Sequence, residues 1–523
     1  MTQEIDLLIK NGNILTMDKN QPKAEAIAVS NGIILAVGKN AEILKEYPKA
    51  KEVVDLKGKF LCPGFNDAHT HLLGISAKFQ DVMLDKVTSV KEALEKISER
   101  VKTTAKGKWI FGERWDESNW IEKRYLTLSE LDKIAPENPC FIRRVCGHLA
   151  AVNSLALEEL GIAKDDPDLD VVSETKEPLG IITVKIMERI SDSPKLKKTQ
   201  EDLDSAVKVA CDYANSLGIT SVTDNLSVRA VKSYIKFWKK NEITVRVNMN
   251  IPLSKFDQYI ETGLKTGFGN KILKFGGVKI FTDGSLGART ALLNEAYFDD
   301  STTKGKFYIK KEIFTEAIRK AVENDWQTAT HAIGDAAIEL ILDTFESIGN
   351  DELVAQGRHR IEHAEYLLDD HIRRVKNLGL ILSMQPNFPG RWGRPDQLYE
   401  IRLGSVRYKL LNNFKKIQKS YTKICFGSDN MPMNPMFGIW SVVTHPIDDI
   451  RITVEEAIYY STLGAAYASF EEEIKGSLES GKLADFVVLD KDILSIDPDV
   501  IKDVQVLMTF FYGKKVYDKS KNK

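Results

Sequence analysis

The residues best suited to chemistry are His69 and His71, in the run Gly64-Phe65-Asn66-Asp67-Ala68-His69-Thr70-His71. An apolar approach, Phe60-Leu61-Cys62-Pro63, leads into it and reads as a short buried strand. Side chains alternate faces along a strand, so the two imidazoles project to the same side. Such a pair is ready to ligate a metal, although two ordinary loop histidines would look the same in isolation. Further ligand-capable residues recur where later apolar runs end. They are Lys279 in Val278-Lys279-Ile280-Phe281, His331 in Thr330-His331-Ala332-Ile333-Gly334-Asp335, His363 in Arg360-Ile361-Glu362-His363, and Asp429 in Phe426-Gly427-Ser428-Asp429. With eight histidines in the chain, four at such positions are hard to explain as core filler. A buried lysine or aspartate there would be costly unless paired or bound to metal.

The elements that carry these residues alternate. Strand-like runs at 219–222, 244–251, 276–281, 327–331, 360–363, 380–384 and 423–426 are interleaved with helical periodicity at 87–103, 199–217, 311–324 and 454–467. Ser89 is placed to cap the first of these helices. Alternating strands and helices mean a parallel sheet, and so many units favour a closed α/β barrel, whose active site gathers at the C-terminal strand ends. Residues 1–60 and the C-terminal 476–523 instead carry short β-runs between turns such as Asn11-Gly12-Asn13 and Ser30-Asn31-Gly32. That pattern predicts one small sheet domain built from both termini, with the barrel over 61–475. Residues 110–198 break the rhythm with polar loops and Trp109, Trp115 and Trp120, and read as an insertion roofing the site. The stretch 386–407, with Pro389-Gly390-Arg391-Trp392-Gly393, reads as a second long loop and a candidate lid.

Composition narrows the function classes. At 523 residues, 73 basic side chains nearly balance 75 acidic ones, which argues against nucleic acid or an anionic membrane as partner. No apolar run is long enough to span a bilayer, and residues 1–6 lack a secretory signal's basic and apolar regions. Five scattered cysteines without a Cys-x-x-Cys read as reduced thiols and a cytoplasmic protein. The expected partner is a small-molecule substrate, with a homodimer as the conceivable assembly.

Taken in order, Pro63–His71, Val278–Ser285, His331–Asp335, Arg358–His363 and Gly427–Asp429 resemble the amidohydrolase superfamily. More narrowly they resemble its YtcJ-like, amidohydrolase 3 branch, the group that includes N-substituted formamide deformylase. Gly147-His148 with Asn153-Ser154, and the tail from Gly476 to Asp485, extend the likeness over nearly the whole chain. The resemblance implies a (β/α)8 TIM barrel, a composite β-sandwich and one or two divalent metals, usually zinc. It matches His69 and His71 to first-strand ligands, His331 and His363 to the fifth and sixth strands, and Asp429 to the eighth-strand aspartate. Lys279 matches a lysine that bridges two metals once carboxylated by CO₂. An ammonium has only donors, whereas a carbamate is an anionic oxygen ligand. An unmodified Lys279 would instead leave a mononuclear site. Val184 departs from the pattern, standing where many relatives carry an acidic residue. The resemblance makes His148 substrate-facing; a locally bonded loop histidine is the other reading. Trp115 and Trp120 could wall an apolar substrate or simply pack. His359, His371 and His445 read as structural, and Asp335 as a helix N-cap.

The function these readings predict is hydrolysis of an amide or other C–N bond by metal-activated water, with Asp429 moving the proton to the leaving nitrogen. A deaminase, lactonase or other esterase could use the same site. A non-catalytic metal-binding regulator is the alternative from another class, and an intact Asp429 argues against it.

Overall fold

A computed structural model describes residues 4–76, 81–144, 149–171, 178–182, 184–190, 193–196 and 199–521. Eight strands pair in parallel in the order in which the chain makes them. They are β1 (Phe65–Thr70), β2 (Ile219–Asn225), β3 (Arg246–Pro252), β4 (Leu273–Phe281), β5 (Gln327–Ala332), β6 (Arg360–His363), β7 (Ile381–Met384) and β8 (Lys423–Phe426). Every residue of β1, β6 and β7 is buried, as expected of a parallel sheet covered on both faces. The connecting helices are amphipathic: Lys311–Glu323, between β4 and β5, buries Phe314, Ala317, Ile318, Ala321 and Val322 on one stripe. This is the (β/α)8 barrel that the alternation predicts.

The edges of the sheet, β1 and β8, are joined by the loop that follows β8. The amides of Ser428 and Asp429 donate to the carbonyl of His69 at 3.1 and 2.8 Å. Asp67, on β1, accepts from the amide of Ser428 at 2.8 Å and from that of His69 at 3.2 Å. Gly427 is required by this closeness, because a Cβ there would lie 2.3 Å from the amide nitrogen of His69. The left-handed backbone comes later, at Asp429 (φ 49°) and Asn430 (φ 59°).

The periodic stretch 454–467 forms two helices, Val454–Tyr460 and Leu463–Ala468. The break leaves the Ser461 carbonyl free to accept the amide of Asn66 at 2.8 Å, which fixes the start of β1.

Both termini build two facing sheets. One has the order Ile33–Gly38, Ala26–Ser30, Ile5–Lys10, Ala50–Asp55; the other runs Lys514–Asp518, Val506–Phe511, Phe486–Leu489, Phe60–Pro63, Asn13–Leu15, Lys23–Ala24. Leu7, Ile9 and Ile27 from the first share a core with Leu61, Phe486, Val488 and Phe510 from the second. The strand Phe60–Pro63 thus belongs to the sandwich, and Gly64 hands the chain over to the barrel. A buried ion pair fastens the two: Arg246 on β3 donates from Nε and a terminal nitrogen to the carboxylate of Asp485, at 2.6 and 3.0 Å. The guanidinium also lies 4.7 and 4.9 Å from the ring centres of Phe511 and Tyr512.

Residues 73–209 form a second compact unit, wider than the expected 110–198. Its six-stranded sheet has the order Leu169–Val171, Pro178–Ile182, Ala150–Val152, Cys140–Arg144, Ile110–Trp115, Val82–Met83. The helix Val90–Thr103, capped through Ser89 Oγ as predicted, packs in this unit's core with Ile110 and Trp115. Helical periodicity does not say which sheet a helix will cover. Among the described residues no helix is long and apolar enough to cross a membrane. Cys62, Cys140 and Cys425 are buried free thiols.

Removing one partner of a buried pair strands the other charge, so Asp485→Ala should cost about 3–5 kcal/mol in a urea titration. A change within about 0.5 kcal/mol, the range of ordinary surface substitutions, would show that the sandwich does not depend on this pair.

Candidate metal centre

The C-terminal ends of the barrel strands bring His69, His363 and Asp429 together, with one ligand atom of each within 4.8 Å of the others. Asp429 Oδ1 lies 3.8 Å from His69 Nε2 and 3.4 Å from His71 Nε2. The rings of His69 and His363 are 4.8 Å apart, and His331 lies 4.5 Å beyond His363. His69 and His363 are buried, while the His71 side chain, just past the end of β1, is 46% exposed at the rim.

Each histidine is held through the nitrogen that faces away from the cluster. His69 Nδ1 is bonded to the carboxylate of Glu362, His71 Nδ1 to the carbonyl of Asn225 at 3.1 Å, and His363 Nδ1 to Gln385 Oε1 at 2.7 Å. A carbonyl or carboxylate oxygen can only accept, so all three rings carry a proton on Nδ1. His69 and His363 present a bare Nε2, whereas His71, held above its usual pKa by Asp429 against the effect of burial, also donates from Nε2 to that carboxylate. His331 is held the other way round: Nε2 donates to the Gly284 carbonyl at 2.9 Å, which leaves Nδ1 as its free nitrogen.

Electrostatics agree with a ligand set. Burial pulls His69 below its usual pKa, His363 well below it, and His331 down to about 3, keeping all three neutral. Asp429 goes the opposite way: burial opposes ionisation, but the hydrogen bond from His71 and the neighbouring positive charges win and hold its carboxyl below the normal range. Burial brings Lys279, on β4, down to about 8. Its Nζ is buried without a hydrogen-bond partner, 4.8 Å from the ring centre of Phe281. A buried cation with no acceptor is expensive, and an anionic modification or a nearby ligand would relieve it.

Sequence reasoning passed over the residues that orient this cluster. Arg360 donates from Nε to Glu362 Oε1 at 2.8 Å and from a terminal nitrogen to Oε2 at 3.1 Å, and reaches the Ala68 carbonyl at 2.6 Å. Burial would raise Glu362, yet the charge of Arg360 and the hydrogen bond from His69 keep it far below the ordinary carboxylate range. The available signal was the spacing Arg-x-Glu, which puts both side chains on one face of β6. Asp283, after β4, is also buried, and accepts from the amides of Leu292, Ile333 and Gly334 at 2.9, 3.1 and 2.9 Å. It thereby shapes the turn that follows His331.

Other sequence readings meet different outcomes. Trp115 has no surface to offer a substrate: it is fully buried, donates from Nε1 to the Ile142 carbonyl at 2.9 Å and packs on Trp120 and Tyr125. His148 lies outside the described residues. The 386–407 stretch is no open loop, since it folds into helices Asn387–Trp392 and Leu398–Arg407, and Phe388 stacks over His363. Asp335 is the first residue of its helix and Gly334 the cap.

Residues 52–517 match the family described as "Amidohydrolase family", and the chain belongs to that family. It is 32% identical over 537 residues to the putative amidohydrolase YtcJ of Bacillus subtilis (strain 168), covering 97% of this chain and 99% of that one. It is 26% identical to the N-substituted formamide deformylase of Arthrobacter pascens, over 99% of this chain and all of that enzyme. Among solved structures, an uncharacterized metal-dependent hydrolase from Pyrococcus furiosus superposes with a TM-score of 0.80 at 30% identity, covering 94% of this chain and 100% of its own.

Glu362→Gln keeps the shape but removes the charge that fixes His69. Affinity for a divalent ion, measured by chelator competition, should fall by about 10–100-fold, the usual cost of losing a residue that orients a metal ligand. Unchanged affinity in a folded variant would show that His69 needs no such support.

Proposed function

We propose that this protein is a metal-dependent hydrolase that cleaves an amide or other C–N bond of a small molecule. The carrying observation is the convergence of His69, His363 and Asp429 beside the unpartnered Lys279. Neutral imidazoles with bare Nε2 atoms and an ionised carboxylate are the donors a borderline divalent cation such as zinc prefers. His69, His71, His363 and Asp429 would hold the cation, with His331 contributing through Nδ1. A cation bound there supplies Lewis acidity that polarises a carbonyl and acidifies water. The relatives' printed descriptions, a formamide deformylase and a metal-dependent hydrolase, support the same class.

The chain's own residues supply the rest. Asp429 is kept ionised, so Oδ1 can accept a proton from an attacking water and return it to a leaving nitrogen. His71, bonded to that oxygen and half in solvent, steadies the carboxylate while the proton is in transit. A lowered pKa leaves Lys279 partly neutral near neutral pH, and only a neutral amine attacks CO₂. The new N–C bond gives a carbamate and releases one proton, converting an orphan donor into an anionic oxygen ligand. We therefore propose that Lys279 is N6-carboxylated in the loaded enzyme.

Two measurements test this reading. Purified protein should carry a divalent metal in stoichiometric amount, and full activity in excess chelator would overturn it. Asp429→Asn should lower kcat by about 10²–10⁴-fold with KM and bound metal little changed. Retained turnover with normal metal would remove Asp429 from the proton path.

A further inference from the structure

Beside His71 and Lys279 lies a cleft of about 370 Å³, large enough for a small organic group. Its walls come from the loops after β2 and β3, the end of β4, and the segment at 308–309. They are apolar: Leu226, Pro252, Leu253, Phe281, Tyr308 and Ile309. Phe281 and Tyr308 are 48% and 51% exposed, leaving two aromatic side chains facing water within one cleft. The polar groups are confined to His71 and Lys279 on the reactive side, with Asn225 and Ser254. Among the described residues, neither a carboxylate nor a guanidinium lines the space.

This chemistry selects. With His71 and Lys279 confined to the reactive side, a charged substituent seated on the remote walls would give up its water and find no counter-charge there. A flat apolar group would cover the exposed rings and release the water over them. We infer that the end of the substrate remote from the scissile bond is an uncharged aryl group, seated against Leu253, Phe281 and Tyr308. The inference rests on the hydrolase reading above for which bond is cut, while the cleft's preference for an apolar ligand stands on its lining alone.

The test uses metal-loaded, full-length protein and amides that share one scissile group. Their remote end is benzyl, carboxymethyl or 2-aminoethyl, placed in turn on the nitrogen and on the acyl side. The benzyl member should exceed both charged members by at least about tenfold in kcat/KM, the discrimination an apolar pocket can supply. Leu253→Asp should abolish that preference, mainly through KM, and improve the cationic member, a gain that a misfolded variant could not show. Saturation-transfer NMR with benzyl alcohol reads the cleft without turnover, and the signal should vanish in Leu253→Asp. Turnover with equal rates for benzyl and charged members would overturn the inference and leave the hydrolase reading intact. No turnover of any member, with benzyl alcohol still bound in a Leu253-dependent way, would overturn the hydrolase reading and keep the apolar cleft. Absence of benzyl alcohol binding by the wild-type protein would overturn the inference outright.

Discussion

The site depends on the buried ion pair between Arg360 and Glu362. Both side chains are fully buried, so each charge would be prohibitive alone, and together they are tolerable because Nε and one terminal nitrogen of Arg360 meet both oxygens of Glu362. Arg360 spends its donors on Glu362, the Ala68 carbonyl and the Ser383 hydroxyl, which ties β6 to β1 and β7. Glu362, kept ionised, can only accept, and so dictates which nitrogen of His69 carries the proton. A choice of tautomer at one ring therefore traces back to a guanidinium inside the barrel. Replacing the pair with hydrophobic residues of equal volume could preserve the barrel and would still lose the orientation of His69.

A second constraint lies in the backbone. His363 (φ 72°), Ala364 (φ 48°), Asp429 (φ 49°) and Asn430 (φ 59°) all adopt left-handed conformations without being glycine. Such residues are uncommon and cost energy, and their clustering at the ends of β6 and β8 marks strain held for a purpose. At His363 the departure from strand geometry matters directly. Glu362 faces inward, so regular alternation would send the next side chain to the opposite face, whereas the ring lies 4.8 Å from that of His69. The strained turns are held by neighbours: Gln385 grips His363, and Asn430 donates from Nδ2 to the His71 carbonyl at 2.7 Å.

Much of this was legible in the residues themselves. The barrel follows from alternating apolar runs, and His69, His363 and Asp429 stand out because ionisable groups end strands that are otherwise apolar. The family likeness rested on those same motifs. What could not be read were partnerships across the sequence. His69 meets Glu362 at a separation of 293 residues, and no local pattern distinguishes that glutamate from one on a solvated face. The need for glycine at 427 was equally hidden, because the close approach of His69 that excludes a Cβ comes from a strand 358 positions earlier. Trp115 illustrates the converse, since aromatic content alone does not separate a lining from a core.

The way the sheet edges are joined bears on how the molecule is made. Asp67 waits for Ser428, 361 residues later, and the strand Phe60–Pro63 waits for Phe486–Leu489. A ribosome therefore releases most of the barrel before either early strand finds its neighbour, leaving Phe60–Pro63 without a main-chain partner on one side through most of synthesis. Unpaired apolar edges are where nascent chains stick to one another, and long-range closure is slow. Assembly of the full cluster is thus a late event in biogenesis, and a chain interrupted just before residue 428 has all four histidines in hand but lacks the carboxylate of Asp429 that they surround.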